Sequence, residues 1–354
     1  MSNQPLANPS QLILRNSTEL ECSRLLMVGM PADGLAEKLI DEGVAESIHG
    51  LTKDYSVFSA IDSRWQSNES LSLEFGPIFK EQSGSYDGAL IFLQKSKPLM
   101  AFWLDMVHSL LSDKAIVWLV GENGEGIKSW RKKLKERYGD VRNLDNARHC
   151  SLIEASAAKE DIKPFNLDNY WSEFDLQASD QELKIRSLPG VFSHGRVDVG
   201  TKVLLETMQQ IPEGPVLDFG CGAGVISAFM SVMQPANTYT LVDVDALALA
   251  SSETTMQLNG VKDFEVKATD GLSEVKDSFK LIVSNPPFHQ GVKTHYAVTE
   301  EFLDQAANRL TRGGELRIVA NNFLRYQPII LKAFGNCESL VVKDGFTVYK
   351  AIKK

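Results

Sequence analysis

Short apolar runs of strand length alternate with stretches of helical period along this chain of 354 residues, and the alternation occurs twice. In the second half Val216-Leu217-Asp218-Phe219 reads as a buried strand. A glycine-rich turn, Gly220-Cys221-Gly222-Ala223-Gly224, follows it and leads into a helical stretch through Val225, Ile226, Phe229 and Met230. Thr240-Leu241-Val242-Asp243, Phe264-Glu265-Val266-Lys267-Ala268 and the aliphatic run Leu281-Ile282-Val283 predict three more strands. The first half echoes this pattern. Arg24 to Ala32 matches Pro215 to Ala223, with Met27 for the acid and Pro31 for the second glycine, and Tyr86 to Lys95 matches the run that starts at Phe279. An amphipathic helix and a further apolar strand follow in each copy, Ala115 to Val120 and Leu316 to Ala320. Glu154 to Asp168 is polar and weakly periodic, a plausible connection, and the alternation over 170 to 192 around Ser179-Asp180 predicts a β-hairpin packed on the second domain. Near the C-terminus, Ser339 to Val342 and Phe346 to Tyr349 flank an Asp344-Gly345 turn, so the sheet should close with an antiparallel pair. The expected architecture is α/β, two tandem Rossmann-like domains from an apparent duplication, over residues 1–165 and 166–354.

In open α/β sheets ligands bind at the C-terminal ends of the strands, and four strand ends of the second half carry candidate chemistry. The run ending at Ser284 leads into Asn285-Pro286-Pro287-Phe288. The Asn285 side-chain carbonyl and the Pro286 backbone carbonyl can accept the two hydrogens of a planar exocyclic amine, and Phe288 offers a face for base stacking. A Pro-rich turn ending a strand is the plainer reading. Glycines at 220, 222 and 224 let backbone approach a ligand, as in dinucleotide-binding folds. Asp218 discriminates, because a carboxylate there repels a pyrophosphate but suits the ammonium and sulfonium of S-adenosylmethionine. Asp243 can accept both ribose hydroxyls, Asp245 reads as a helix cap, and Asp270 can accept the adenine amino group.

Five stretches together resemble the RsmC type of 16S rRNA guanine-N2 methyltransferase. They are Leu188 to Ser193, Val197-Asp198-Val199-Gly200, the loop from Asp218 to Gly224, Ser284 to His289, and Gly313 to Asn321. The likeness is strong over 185–354 and looser, though continuous, before that. It implies two methyltransferase-type domains, the N-terminal one degenerate, with S-adenosylmethionine as cofactor and small-subunit rRNA as partner. It also implies transfer to a guanosine N2 amine, Asn285 to Phe288 as catalytic residues, and Asp198 and Asn285 among the cofactor contacts. His194 stands where the family usually has Arg, which leaves that side chain without an assigned role. The amine chemistry alone would also suit a large-subunit guanine, an adenine N6 or a protein glutamine. A cofactor-binding assembly factor without turnover is a further alternative, against which the intact Asp218, Gly220, Gly222, Asp243 and Asn285 set argues.

Composition changes the picture in one respect. Acids outnumber bases, with a net charge of -9, whereas RNA phosphates demand local positive charge. The densest basic cluster is Lys128, Arg131, Lys132, Lys133, Lys135 and Arg137, on a predicted helix that is either a solvated face or an RNA-phosphate contact. Cys22, Cys150, Cys221 and Cys337 have no metal-ligand spacing and read as free thiols of a reducing compartment. No signal-peptide pattern opens the chain and no apolar run approaches membrane-spanning length, so a cytoplasmic enzyme without membrane or metal partners is expected.

Overall fold

The computed structural model describes residues 5–80, 84–159, 164–286 and 292–354, and the chain divides into two compact units, Met1–Tyr170 and Trp171–Lys354. The first unit contains strands β1 (Cys22–Val28), β2 (Ala45–Thr52), β3 (Leu71–Phe75), β4 (Tyr86–Phe92), β5 (Leu111–Glu122), β6 (Tyr138–Ala147) and β7 (Cys150–Ala158). Its helices are α1 (Asn8–Arg15), α2 (Leu35–Asp41), α3 (Tyr55–Trp65), α4 (Lys97–Leu110) and α5 (Ile127–Leu134). The strands lie in the order β3-β2-β1-β4-β5-β7-β6, parallel except for β7, which runs antiparallel to both neighbours.

The second unit opens with an antiparallel hairpin of β8 (Ser172–Ala178) and β9 (Gln181–Ser187). Then come α6 (Val199–Glu206), β10 (Val216–Phe219), α7 (Val225–Met233), β11 (Tyr239–Asp243), α8 (Ala246–Leu258), β12 (Phe264–Ala268) and β13 (Phe279–Ser284). The unit ends with α9 (Val292–Arg309), β14 (Leu310–Asn321), α10 (Tyr326–Phe334), β15 (Glu338–Lys343) and β16 (Phe346–Ile352). The hairpin docks on α8 as expected, through Arg186 N–H to Thr255 Oγ1 (3.1 Å) and Leu188 N–H to Ser251 Oγ (3.0 Å). The main sheet runs β12-β11-β10-β13-β14-β16-β15, the same order as in the first unit. Leu217, Val242, Ile282 and Ile318 from this sheet pack with Phe302, Leu303 and Ile330 from α9 and α10 into one apolar core.

Strand register aligns the two copies residue by residue. Val28 pairs with Leu51 and Ile91 where Phe219 pairs with Val242 and Ser284. Gly29 N–H donates to the Leu51 carbonyl (3.1 Å) as Gly220 N–H donates to that of Val242 (2.9 Å). Met27 therefore occupies the position of Asp218, and one residue beyond each register Thr52 and Phe92 stand where the second unit has Asp243 and Asn285. The helix caps are retained, Asp54 on α3 and Asp245 on α8. What meets the glycine turn differs: a Cβ on Gly29 would lie 2.7 Å from the buried Trp103 ring of α4, whereas no described atom lies within 4 Å of one on Gly220.

One stretch departs from the pattern expected of it, and one turn was not anticipated. Glu154 does not begin a connection, because β7 runs on to Ala158. Its Ala-Ser-Ala-Ala end has little intrinsic strand preference, and pairing to β5 and β6 makes it a strand. Glu154 is buried there, accepting from Trp118 Nε1 (3.4 Å) and Arg142 Nε (2.7 Å). The turn from β6 to β7 is made by Arg148 (φ 52°) and His149 (φ 61°), a left-handed pair with none of the usual turn residues.

Gly29 and Gly220 share φ +70°, so alanine at either carries the same left-handed penalty, about 1–2 kcal/mol. Gly29→Ala should cost roughly 1–3 kcal/mol more, because it overpacks against Trp103. Denaturant unfolding of the two variants checks the difference, and equal losses would mean that the ring moves aside freely.

Candidate active site

Because β12, β11, β10 and β13 are consecutive in the sheet, the residues at their C-terminal ends share one edge of the second unit. The glycine turn after β10 is left-handed at Gly220, Gly222 and Gly224. Gly224 packs tightly on α8, where a Cβ would meet Ser252 at 3.1 Å, while Gly220 and Gly222 face open space. The first two thus leave room for a ligand and the third fastens the turn to the fold. Gly222 N–H donates to Asp243 Oδ2 (3.0 Å), and Asp243 Oδ1 accepts from Asp245 N–H (3.0 Å). Asp270 is exposed just beyond β12.

Asp218 is completely buried on β10. Its Oδ2 accepts from Ser227 Oγ on α7 (2.7 Å), and its Oδ1 has no partner among the described residues. Burial pushes this carboxyl up from 3.8 to about 7, with the Ser227 hydrogen bond pulling back and the charge of Asp243 adding to the rise. Burial likewise raises Asp243 to about 6, against hydrogen bonds from the Asp245 and Gly222 backbone. Raised carboxyls on adjacent strand ends are a feature that functional sites share.

Asn285, one residue past β13, is gripped from one side. Its Nδ2 donates to Asp198 Oδ2 (3.1 Å) and Thr201 Oγ1 (2.9 Å). The same Asp198 oxygen caps α6 by accepting from Thr201 N–H (3.1 Å). With both amide hydrogens committed, the side-chain carbonyl points elsewhere, and Asn285 Oδ1 is buried with no partner among the described residues. A buried acceptor left open costs stability unless a ligand supplies the donor. Pro286 is buried beside it. The expected roles of Pro287 and Phe288 lie outside the described residues. Thr201 and Ser227 escaped the sequence reading: Thr201 follows a capping Asp at helix spacing, a signal that was present, whereas nothing in the sequence singles out Ser227.

Lys128, Arg131, Lys132 and Lys133 of the basic cluster lie on α5 of the first unit while Lys135 and Arg137 fall just past its end, and Lys128, Arg131, Lys132 and Lys135 are exposed. Lys133 is half-buried with its ammonium over the Trp130 ring at 5.4 Å. Arg137 does not extend the cluster as a free cation, since it forms an ion pair with Asp105 (2.6 Å). His194 forms a hydrogen bond through Nδ1 with Ser187 Oγ (3.0 Å) in the segment leading to Asp198.

Residues 182–350 match the family model of the methyltransferase small domain, and residues 10–174 match that of its N-terminal companion. The ribosomal RNA small subunit methyltransferase C of Pseudoalteromonas translucida is 36% identical over 98% of this chain and 99% of its own length. That of Pseudomonas paraeruginosa is 40% identical over 97% and 99%. The chain belongs to the ribosomal RNA small subunit methyltransferase C family. Both units of the chain are methyltransferase-type domains, as the shared strand order had indicated. A solved structure with the same fold is the T. thermophilus 16S rRNA N2 methyltransferase RsmC in complex with AdoMet and guanosine, with a TM-score of 0.83, 23% identity, and coverage of 98% of this chain and 92% of that one.

Asp218 gives this family member a stability test with a definite sign. Its folded pKa is raised, so its contribution is most favourable at low pH and is lost as pH rises through about 7. Asp218→Asn keeps an acceptor for Ser227 and removes the ionisation, so it should stabilise the protein at pH 8 by up to roughly 4 kcal/mol. The gain should fall to less than half of that by pH 5 and approach zero only below about pH 4. Thermal melts of both proteins across this range check it, and a gain independent of pH would contradict the assignment.

Proposed function

We infer that this chain transfers the methyl group of S-adenosylmethionine to the exocyclic N2 amine of a guanosine in 16S rRNA. The observation that carries the reading is the open, buried Oδ1 of Asn285, held in place by Asp198 and Thr201. Family membership over nearly the whole chain supports the substrate class. The glycine turn and acids fit the cofactor, because open space lies over Gly220 and Gly222 and Asp218 Oδ1 is an orphaned acceptor for a cationic ligand. Asp218, Gly220, Gly222, Asp243 and Asp270 would hold it, with Gly224 keeping the turn fastened to α8. When bound it supplies an activated methyl group.

Guanine N2 is a poor nucleophile because its lone pair is delocalised into the ring. Asn285 Oδ1 and the Pro286 carbonyl accept its two hydrogens, an interaction that strengthens as the nitrogen becomes tetrahedral. Phe288 in this reading fixes the ring plane. Orientation of a bound amine towards an activated methyl can provide about 7–11 kcal/mol of the barrier reduction, so no strong base is needed and the proton leaves to water after transfer. Asp198, whose Oδ2 already serves Asn285 and Thr201, acts as a positioning residue. The target base must leave its stack to reach this edge. The first unit, with Met27, Thr52 and Phe92 at the three chemical positions and Trp103 against its glycine turn, serves as a degenerate copy that binds no cofactor. A ribosomal substrate makes the cytoplasm the site of action, and no described helix is long and apolar enough to cross a membrane.

Asn285→Ala should lower kcat by roughly two to three decades, as the loss of one transition-state hydrogen bond does, while S-adenosylmethionine affinity by calorimetry stays close to wild type. Near-normal turnover at saturating RNA would show that the amine is held elsewhere. We also infer that the exposed cations on and just past α5 contact RNA phosphate. Lys128, Lys132 and Lys135 changed together to Gln should weaken RNA binding and reduce the salt slope of log Kd by about 0.7–1 for each phosphate no longer neutralised. An unchanged slope would leave α5 as a solvated face.

A further inference from the structure

The methyl-acceptor edge carries an aromatic side chain that the chemistry above does not use. Phe323 sits in the turn after β14 and is 67% exposed, the most exposed large apolar residue among those described. Among the described Phe, Tyr and Trp side chains only Phe323 and Phe192, the latter 46% exposed, reach the exposed class. Single exposed apolar residues are ordinary on a protein surface. Here both aromatic ones fall on segments flanking Asn285. Phe192 lies in the stretch leading to Asp198, and Phe323 follows β14, whose Ile318 pairs with Ser284 immediately before Asn285.

The turn that carries Phe323 is tied down on every side but its own. Asn322 N–H donates to the Gly345 carbonyl (2.9 Å), and Asn322 Oδ1 accepts from Thr347 Oγ1 (2.7 Å). Leu324 N–H donates to the Asn321 carbonyl (2.9 Å), and the Leu324 side chain is buried, as is Tyr326 two residues on. With neighbours anchored before and after it, the backbone at Phe323 is held in place and its ring is presented to solvent. An anchored backbone lowers the ordering cost of stacking on such a ring. Arg325, also exposed, adds a cation to the same turn.

We propose that Phe323 stacks on an unpaired base of the RNA next to the target guanosine and so contributes to substrate selection. The proposal rests on the methyltransferase reading above. Base stacking on an aromatic side chain is sequence-tolerant and depends on a flat π-face. An apolar protein contact requires only bulk, and that difference separates the two possible occupants.

The test uses the full chain, small-subunit particles or a 16S fragment containing the methylated site, and the variants Phe323→Ala, Phe323→Leu and Phe323→Trp. Phe323→Ala should raise KM for RNA roughly five- to hundred-fold, with kcat and S-adenosylmethionine affinity near wild type. Phe323→Trp should restore KM, and Phe323→Leu should not. Because the side chain is exposed, each variant should melt with the wild type, which a thermal scan verifies. Wild-type KM in Phe323→Ala, or full rescue by Phe323→Leu, would overturn the proposal, the latter in favour of a protein contact. If the wild-type chain methylated no small-subunit RNA, the functional reading itself would fail, an outcome distinguishable from loss of the stacking role alone.

Discussion

The chemistry proposed for the second unit depends on how one amide is held. Asn285 lies at the end of a strand buried on both faces, and its NH2 group is taken up by Asp198 and Thr201. An Asn side chain has one carbonyl and one amino end, so fixing the amino end fixes where the carbonyl points. Asp198 can do this because the N-terminus of α6 holds it: Thr201 N–H binds the same oxygen that receives Asn285. A helix cap and the amide proposed to hold the substrate amine therefore share one carboxylate. The arrangement leaves a buried acceptor open among the described residues, where the donor of a ligand would satisfy it.

The neighbouring strand follows the same logic with charge in place of a dipole. Asp218 is buried with one carboxylate oxygen unserved among the described residues, and its raised pKa follows from that burial. In the first unit the aligned position is Met27, an ordinary member of the apolar core, and the space by the glycine turn is taken by Trp103. One topology thus appears twice, once with its strand ends given over to packing and once with open acceptors. Among the described residues, the orphaned acceptors Asp218 Oδ1 and Asn285 Oδ1 lie at strand ends of the second copy, where the aligned residues of the first are Met27 and Phe92.

Much of this was legible in the chain. The glycine turn, the acid before it and the Asn-Pro-Pro-Phe run mark both their strands and their edge, because close approach and buried polarity admit few residue types. The closing hairpin was legible for a similar reason: Asp344 and Gly345 adopt positive φ (50° and 82°) as turn residues suited to it. Its counterpart in the first unit was not. Arg148 and His149 adopt the same left-handed conformation without sequence preference for it, and polar β6 at the sheet edge alternates too weakly to read as a strand. Glu154 looked like the start of a linker because its burial depends on Trp118 and Arg142, distant in sequence. Thr201 and Ser227 matter through contacts 84 and 9 residues away along the chain, and such pairings are set by tertiary structure.

The grip on Asn285 is the claim on which the rest stands, and the N2-methylguanosine content of 16S rRNA measures it most directly. Mass spectrometry would compare cells lacking this protein with cells given the wild-type chain or an Asp198→Ala, Thr201→Val double variant. That variant leaves Asn285 itself in place but removes both acceptors that orient it. The account predicts that the wild type restores the mark in small-subunit rRNA and that the folded double variant leaves it largely absent. A full mark from the double variant, or a mark confined to the large subunit, would contradict it.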